Sequence, residues 1–137
     1  MSFVLDASVT ISWLIDDEVS DVVGTVFERL VADGAVAPWL WRLEVGNAML
    51  VAERRGRIVP EQTRRRLDEL DQTNIELDDE AHDHAWDETL RLARAHRLTL
   101  YDAAYLELAL RRRLPLATLD RALAGAARAV GVHLLPD

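Results

Sequence analysis

Short apolar, strand-like segments recur between helix-like segments along the whole chain, and this alternation restricts the fold more than any other feature of the sequence. Phe3 to Asp6 reads as a buried strand, followed by Ser8 as a candidate helix cap. Glu18 to Asp33 reads as a helix with Val19, Val22, Val23, Val26, Phe27 and Leu30 on one face. Ala35 to Ala37 is a strand stopped by Pro38. Trp39 to Arg55 is a second long helix closed by Gly56, and Pro60 to Gln72 is a third, with proline in its first turn. Asn74 to Leu77 is strand-like, and Asp78 is placed to cap a helix from Asp79 to His96. Tyr101 to Arg112, Leu114 to Thr118, Asp120 to Val130 and Val132 to Leu135 complete the chain as helix, strand, helix and strand.

Parallel strands need crossover connections, so this order predicts a mainly parallel α/β sheet covered on both faces. In such sheets ligands bind beyond the carboxyl ends of the strands, where the strand order reverses. With 137 residues, half of them apolar, the chain suits a single domain spanning residues 1–137 with one core.

Several kinds of chemistry are excluded by what is missing. Without cysteine there are no disulfides, thiol nucleophiles or cysteine-held metals. Without lysine, P-loop hydrolases, phospho-aspartate receivers, haloacid-dehalogenase-like phosphatases and Schiff-base enzymes lose a required group. The last phosphatase class would also need an aspartate two residues after Asp6, and Ser8 stands there. No apolar run reaches the length of a membrane span, and the first residues lack a basic leader, so a cytoplasmic location is expected.

The net charge is −8, with the arginines bunched at Arg54, Arg55 and Arg57, at Arg64 to Arg66 and at Arg111 to Arg113. Each bunch reads either as a solvated helix end or as a phosphate-binding patch. Trp13, Trp39 and Trp41 read as packing residues or as stacking surfaces for bases. His82 and His84 are two apart and point to different faces of a helix, which argues against a shared metal; His96 and His133 are read as surface or packed residues.

Two acids are out of place. Glu44 lies on the stripe of Leu40, Ala48 and Val51 in a largely apolar helix, and a carboxylate there needs a cation, a proton or a metal. Asp102 shares a stripe with Leu106 and Ala109; a favourable position in a first helical turn accounts for the acid but not for the apolar stripe. Glu107, on another side of the same helix, is expected at the surface. Asp6 ends the first strand and Asp120 follows the fourth by two residues, and each reads either as a helix cap or as a site residue. Should all four converge, with no lysine to neutralise them, they would require bound protons or divalent cations. An all-oxygen donor set favours Mg²⁺ or Mn²⁺ over zinc.

The segments VLDAS (4–8), LEVGNAML (43–50), LYDAAYLELA (100–109) and ATLDRAL (117–123) resemble, in order and spacing, the signature blocks of PIN domains, and in particular of VapC toxins. The resemblance implies a three-layer α/β/α sandwich with a short central sheet. It implies a metal-dependent endoribonuclease acting as the toxin of a toxin–antitoxin pair, with Asp6, Glu44, Asp102 and Asp120 as the acids holding Mg²⁺ or Mn²⁺. Thr118 resembles the family's hydroxyl residue beside the last aspartate and is grouped with the catalytic set; Ser8 and Asn47 match polar positions near the site, and also read as a helix cap and a helix-surface amide. A VapB-type antitoxin, an RNA substrate and a homodimer are the implied partners. The alternative is a PIN-like module that no longer cleaves and serves as a binding or scaffold unit.

Overall fold

The structure, a computed structural model, describes residues 1–16 and 19–136. Five strands, β1 (Val4–Leu5), β2 (Ala35–Pro38), β3 (Ile75–Asp78), β4 (Leu116–Ala117) and β5 (Leu134–Leu135), form one sheet in the order β3-β2-β1-β4-β5. Every pairing is parallel. Helices α1 (Ala7–Ile15), α2 (Asp21–Asp33), α3 (Leu40–Arg54), α4 (Pro60–Asp71), α5 (Glu88–His96), α6 (Leu100–Arg112) and α7 (Arg121–Ala129) flank the sheet, giving the expected three-layer α/β/α arrangement.

The strands are apolar because both faces of a parallel sheet are covered. Val4, Leu5, Val36, Ala37, Leu116 and Ala117 are fully buried. Central β1 has β2 on one side and β4 on the other, so the strand order reverses there. The crevice for a ligand therefore lies at the carboxyl end of β1. Register is fixed by the backbone: Val4 N–H donates to Pro115 O at 2.8 Å, Asp6 N–H to Ala117 O at 3.0 Å, and Val36 N–H to Phe3 O at 2.8 Å. The turn into β2 requires glycine. Gly34 has φ +74°, and a Cβ there would come 2.9 Å from the Asn74 side chain.

Helix α6 packs across β1, β2 and β4, and α1 lies against α3. Residues 103–109 of α6 are all buried, so the acid at its start is held by the most enclosed helix of the fold. Among the described residues, no helix is long and apolar enough to cross a membrane.

Four sequence expectations change. The helix expected from Glu18 begins at Asp21, with Ser20 accepting a capping bond from Val23 N–H at 3.3 Å; Glu18 itself lies outside the described residues. Its buried stripe is Val23, Val26 and Leu30, while Val19, Val22 and Phe27 are exposed. The helix expected over 79–96 is broken into a 3-10 turn, Ala81–His84, and α5. Asp78 Oδ2 accepts from Ala81 N–H at 2.8 Å and tightens the first turn, and Asp87, at φ −111° and ψ −98°, leaves the helical region. Glu107 is buried rather than at the surface: Arg111, one turn on, donates to it at 2.7 Å. Finally, α1 starts at Ala7 with Asp6 in the N-cap position, so Ser8 lies inside the helix rather than capping it.

Candidate active site

Asp6 leaves β1 at the strand-order reversal. Although it occupies the N-cap of α1, its side chain makes no capping bond, and it is only 4% exposed. Its carboxylate instead accepts from two hydroxyls: Ser8 Oγ at 2.5 Å and Thr118 Oγ1 at 2.7 Å, both on Oδ2. Ser8 Oγ in turn accepts from Leu119 N–H at 2.9 Å, and Thr118 Oγ1 from Asp120 N–H at 3.0 Å. Two hydroxyls thus tie the end of β1 to the segment after β4 and orient Asp6. Burial pushes the Asp6 carboxyl above its ordinary value, the Ser8 and Thr118 hydroxyls pull it back, and the charge of Asp120 pushes it up again.

Glu44 projects from α3 at a half-buried position, and Tyr105 Oη donates to its Oε1 at 2.6 Å. Burial raises its pKa, Tyr105 opposes the shift, and the charges of Asp6 and Asp102 add to it. Asp102 stands in the first turn of α6, whose N-cap Thr99 accepts from Asp102 N–H at 3.1 Å. Burial again raises its pKa, followed by the charges of Asp120 and Asp6. Asp120 is both a site neighbour and a true cap, with Oδ1 accepting from Ala122 N–H at 2.8 Å and Leu123 N–H at 3.2 Å.

Four separated segments thus contribute acids whose charges reach one another: Asp120 raises the proton affinity of Asp6 and Asp102, Asp6 that of Glu44 and Asp102, and Asp102 that of Glu44. Among the described residues, no cationic side chain is a cause of the shifts of Asp6, Glu44 or Asp102. They do not form a ready-made coordination cage: no group of three acids or histidines among the described residues is drawn together as one. Asp6 and Glu44 are turned toward hydroxyl donors, and Asp120 toward the amides of its own helix. The donor chemistry nevertheless fits a hard divalent cation, since oxygen anions in mutual repulsion are relieved by it.

The remaining sequence candidates divide. Asn47, one turn after Glu44 on α3, is exposed. Ser8 and Thr118 both contact Asp6. The Arg111 to Arg113 bunch is partly internal, with Arg111 held by Asp78, Glu107 and Glu80, and Arg112 by Glu76. Trp41 is buried with its indole N–H on Thr10 at 3.1 Å, and Trp13 donates to Val23 O at 2.9 Å, so both serve packing. Trp39 is exposed.

Sequence reasoning missed Tyr105. A signal for it existed, since it stands three residues after Asp102 and so on the same side of α6. Its phenol is fully buried, and burial followed by the charges of Asp6 and Glu44 raises its pKa far above the ordinary value, so it stays protonated and can only donate to a carboxylate.

A parallel α/β sheet with interacting acids beyond the carboxyl end of its central strand defines a class of carboxylate-lined α/β proteins. Within that class, the PIN domain model matches residues 3–129, and the chain belongs to the PIN domain family. Among solved structures, it is similar to the crystal structure of PAE2754 from Pyrobaculum aerophilum. That match has a TM-score of 0.69 and 24% identity, and covers 92% of this chain and 84% of the other, a likeness of fold. No curated protein matches. PIN domains are generally nucleases that usually employ divalent metals.

Proposed function

We propose that this chain, as one PIN domain, is a metal-dependent endoribonuclease of the VapC type, working in the cytoplasm as the toxin of a toxin–antitoxin pair. The observation that carries the nuclease reading is the raised proton affinity of Asp6, Glu44 and Asp102 at the strand-order reversal, to which burial and then the charges of neighbouring acids, Asp120 among them, contribute, with no cationic side chain among the causes. The toxin reading rests on the four sequence blocks, as do the VapB-type antitoxin and the homodimer.

In this reading the four carboxylates hold Mg²⁺ or Mn²⁺. A divalent ion so held would lower the pKa of a bound water and offset charge on the phosphate. Ser8 and Thr118 hold the Asp6 carboxylate in one orientation through Oδ2. Tyr105 does the same for Glu44, and Asp120 is fixed by the first amides of α7. Such fixed orientation is what positioning catalysis requires of a site. Direct attack of water on phosphorus leaves a 5′-phosphate and a 3′-hydroxyl.

The test is cleavage of a mixed small-RNA pool by purified protein in Mg²⁺ or Mn²⁺, with chelator and Asp6→Asn as controls. Loss of cleavage in both controls, with 5′-phosphate products, is the expected outcome. Cyclic phosphate ends would overturn the water mechanism. Failure to cut any RNA, together with no calorimetric signal for either metal, would leave a non-catalytic PIN-like binding module.

A further inference from the structure

The three arginine bunches fare differently in the folded chain. Arg111 and Arg112 are taken up by Asp78, Glu107, Glu80 and Glu76. On α4, Arg64 pairs with Asp68 and Arg66 donates to Leu14 O, while Arg65 has Glu61 and Glu69 one turn away on either side. Arg54, Arg55 and Arg57 are exposed, and among the described residues none of them makes an ion pair or a side-chain hydrogen bond. Glu53, the acid beside them, is engaged elsewhere, accepting from Thr63 Oγ1 at 2.6 Å. Residues 53–66 carry six arginines and two acids, in a chain whose net charge is −8. The dipole of α3 favours a cation at this end of the helix, but three together repel one another unless they share an anion.

We infer that Arg54, Arg55 and Arg57 anchor the sugar–phosphate backbone of a single-stranded RNA that runs from the acids along α3 to this corner. The helix itself sets the distance. Arg55 is the C-cap of α3 and follows Glu44 by eleven residues, about three turns and roughly 16 Å of rise, so it returns to the same side of the helix. Asn47, exposed and one turn after Glu44, lies between them. With one phosphate per roughly 3.4 Å, a stacked strand covers that distance in about five nucleotides. Charge selects the occupant: carboxylates at one end of α3 offer an RNA nothing without a metal, and the arginines at the other end attract it. A protein partner would need an apolar centre to its interface, and of residues 53–66 only Val59 is a large apolar side chain open to solvent. The anchoring site deepens the proposed ribonuclease reading and rests on it for the choice of RNA.

Binding is measured apart from cleavage, by anisotropy in Mg²⁺, with the full chain carrying Asp6→Asn as parent. The probes are fluorescein-labelled single-stranded RNAs from trimer to dodecamer, of oligo-A and oligo-U. The test variant adds Arg54→Gln, Arg55→Gln and Arg57→Gln to the parent. A charge-matched control adds Arg94→Gln, Arg97→Gln and Arg128→Gln, three exposed arginines at α5 and α7. Circular dichroism melts verify that both stay folded, as exposed substitutions allow. In the parent, affinity is expected to rise once the RNA is long enough to span the acids and the corner. The test variant should lose that rise and bind the dodecamer about ten-fold more weakly. Its log–log salt slope should fall by about 2, roughly 0.7 for each lost phosphate contact. Oligo-A and oligo-U should lose equally, because phosphate contacts carry no sequence information.

Unchanged affinity and salt slope in the test variant would overturn the anchoring site and leave the corner to an acidic protein segment. An equal loss in the control would overturn it in favour of net charge alone, and a parent that binds no RNA would overturn it outright. If the wild-type chain cuts RNA while the test variant binds unchanged, the nuclease reading stands and the anchoring site falls. If nothing is cut but binding depends on these arginines, the nuclease reading falls and the anchoring site stands.

Discussion

Tyr105 Oη donates a 2.6 Å hydrogen bond to Glu44 Oε1 across 61 residues of sequence, joining the most buried helix to the acid of α3. A buried phenol that cannot ionise holds a half-buried carboxylate in place without neutralising it. Tyr105→Phe removes the oxygen and leaves the ring. The expected loss is roughly 1.5–3 kcal/mol of stability, the worth of a hydrogen bond to a charged group. If Glu44 is a site acid, cleavage also slows by about ten-fold, because its carboxylate is free to rotate. Urea melts and single-turnover cleavage measure the two effects separately, and an unchanged rate would remove Tyr105 from the positioning of Glu44.

Asp6, Glu44 and Asp102 all hold their protons more tightly in the folded chain than in the unfolded one, burial being the first cause in each case. The folded state then binds more protons above the ordinary carboxylate range, and stability falls as pH rises through the raised values. In chelator, the melting temperature is therefore expected to decline from about pH 4 toward neutrality through these three groups. Asp6→Asn deletes the most buried of the charges while keeping a polar side chain. It should flatten that decline and raise the melting temperature at pH 7 by a few degrees. A steeper decline in the variant would contradict the assignment of burial as the dominant influence on Asp6.

The sheet was legible because fully covered parallel strands demand apolar runs such as Phe3 to Leu5 and Ala35 to Ala37, and helices between them demand a parallel order. The acids drew notice through local contradiction: Glu44 and Asp102 each interrupt an apolar stripe. What placed Glu44 beside Tyr105, or Asp78 beside Arg111, was tertiary approach across 61 and 33 residues, which no periodicity encodes. Glu107 was misread although its partner Arg111 stands at i+4, because the pairing becomes internal only once Asp78 closes over it. The broken helix before α5 failed for a similar reason. Asp78 was recognised as a cap, but the weak helix formers His82, Asp83, His84, Trp86 and Asp87 that follow were read through as one helix, and the break falls among them at Asp87.

Arg111 ties α6 to the end of β3: its guanidinium meets Asp78 at 2.7 Å and Glu107 at 2.7 Å, and both acid side chains are 3% exposed. Burial pushes Asp78 up, but the Arg111 hydrogen bonds and charge, with the Ala81 amide, outweigh it and hold its carboxyl below the usual value. This contribution has the opposite sign to that of the site acids. It is present above pH about 4 and lost as pH falls through the depressed value. Arg111→Leu leaves two buried charges without a counter-ion and is expected to cost on the order of 3–5 kcal/mol. Arg112→Leu is the contrast: its pair with Glu76 is largely exposed and contributes at most about 1 kcal/mol. Denaturant unfolding of the two variants should separate them clearly. Similar losses would show that the Arg111 network is no better shielded from water than the surface pair.

Metal binding should reverse the penalty that the site acids impose on the folded chain. A cation that binds the folded state alone stabilises by about 2.7 kcal/mol at a hundred times its dissociation constant. Mn²⁺ or Mg²⁺ is therefore expected to raise the melting temperature of the wild-type chain by several degrees at pH 7. Asp6→Asn and Asp102→Asn should lose most of that gain. The informative feature is the crossing: with chelator Asp6→Asn is the more stable chain, and with saturating metal the wild type is. A structural role for Asp6 predicts no crossing, because a carboxylate kept only for its bonds to Ser8 and Thr118 would respond to neither ion. Differential scanning calorimetry with and without metal settles the order, and parallel metal-independent curves for the two chains would remove Asp6 from the proposed metal site.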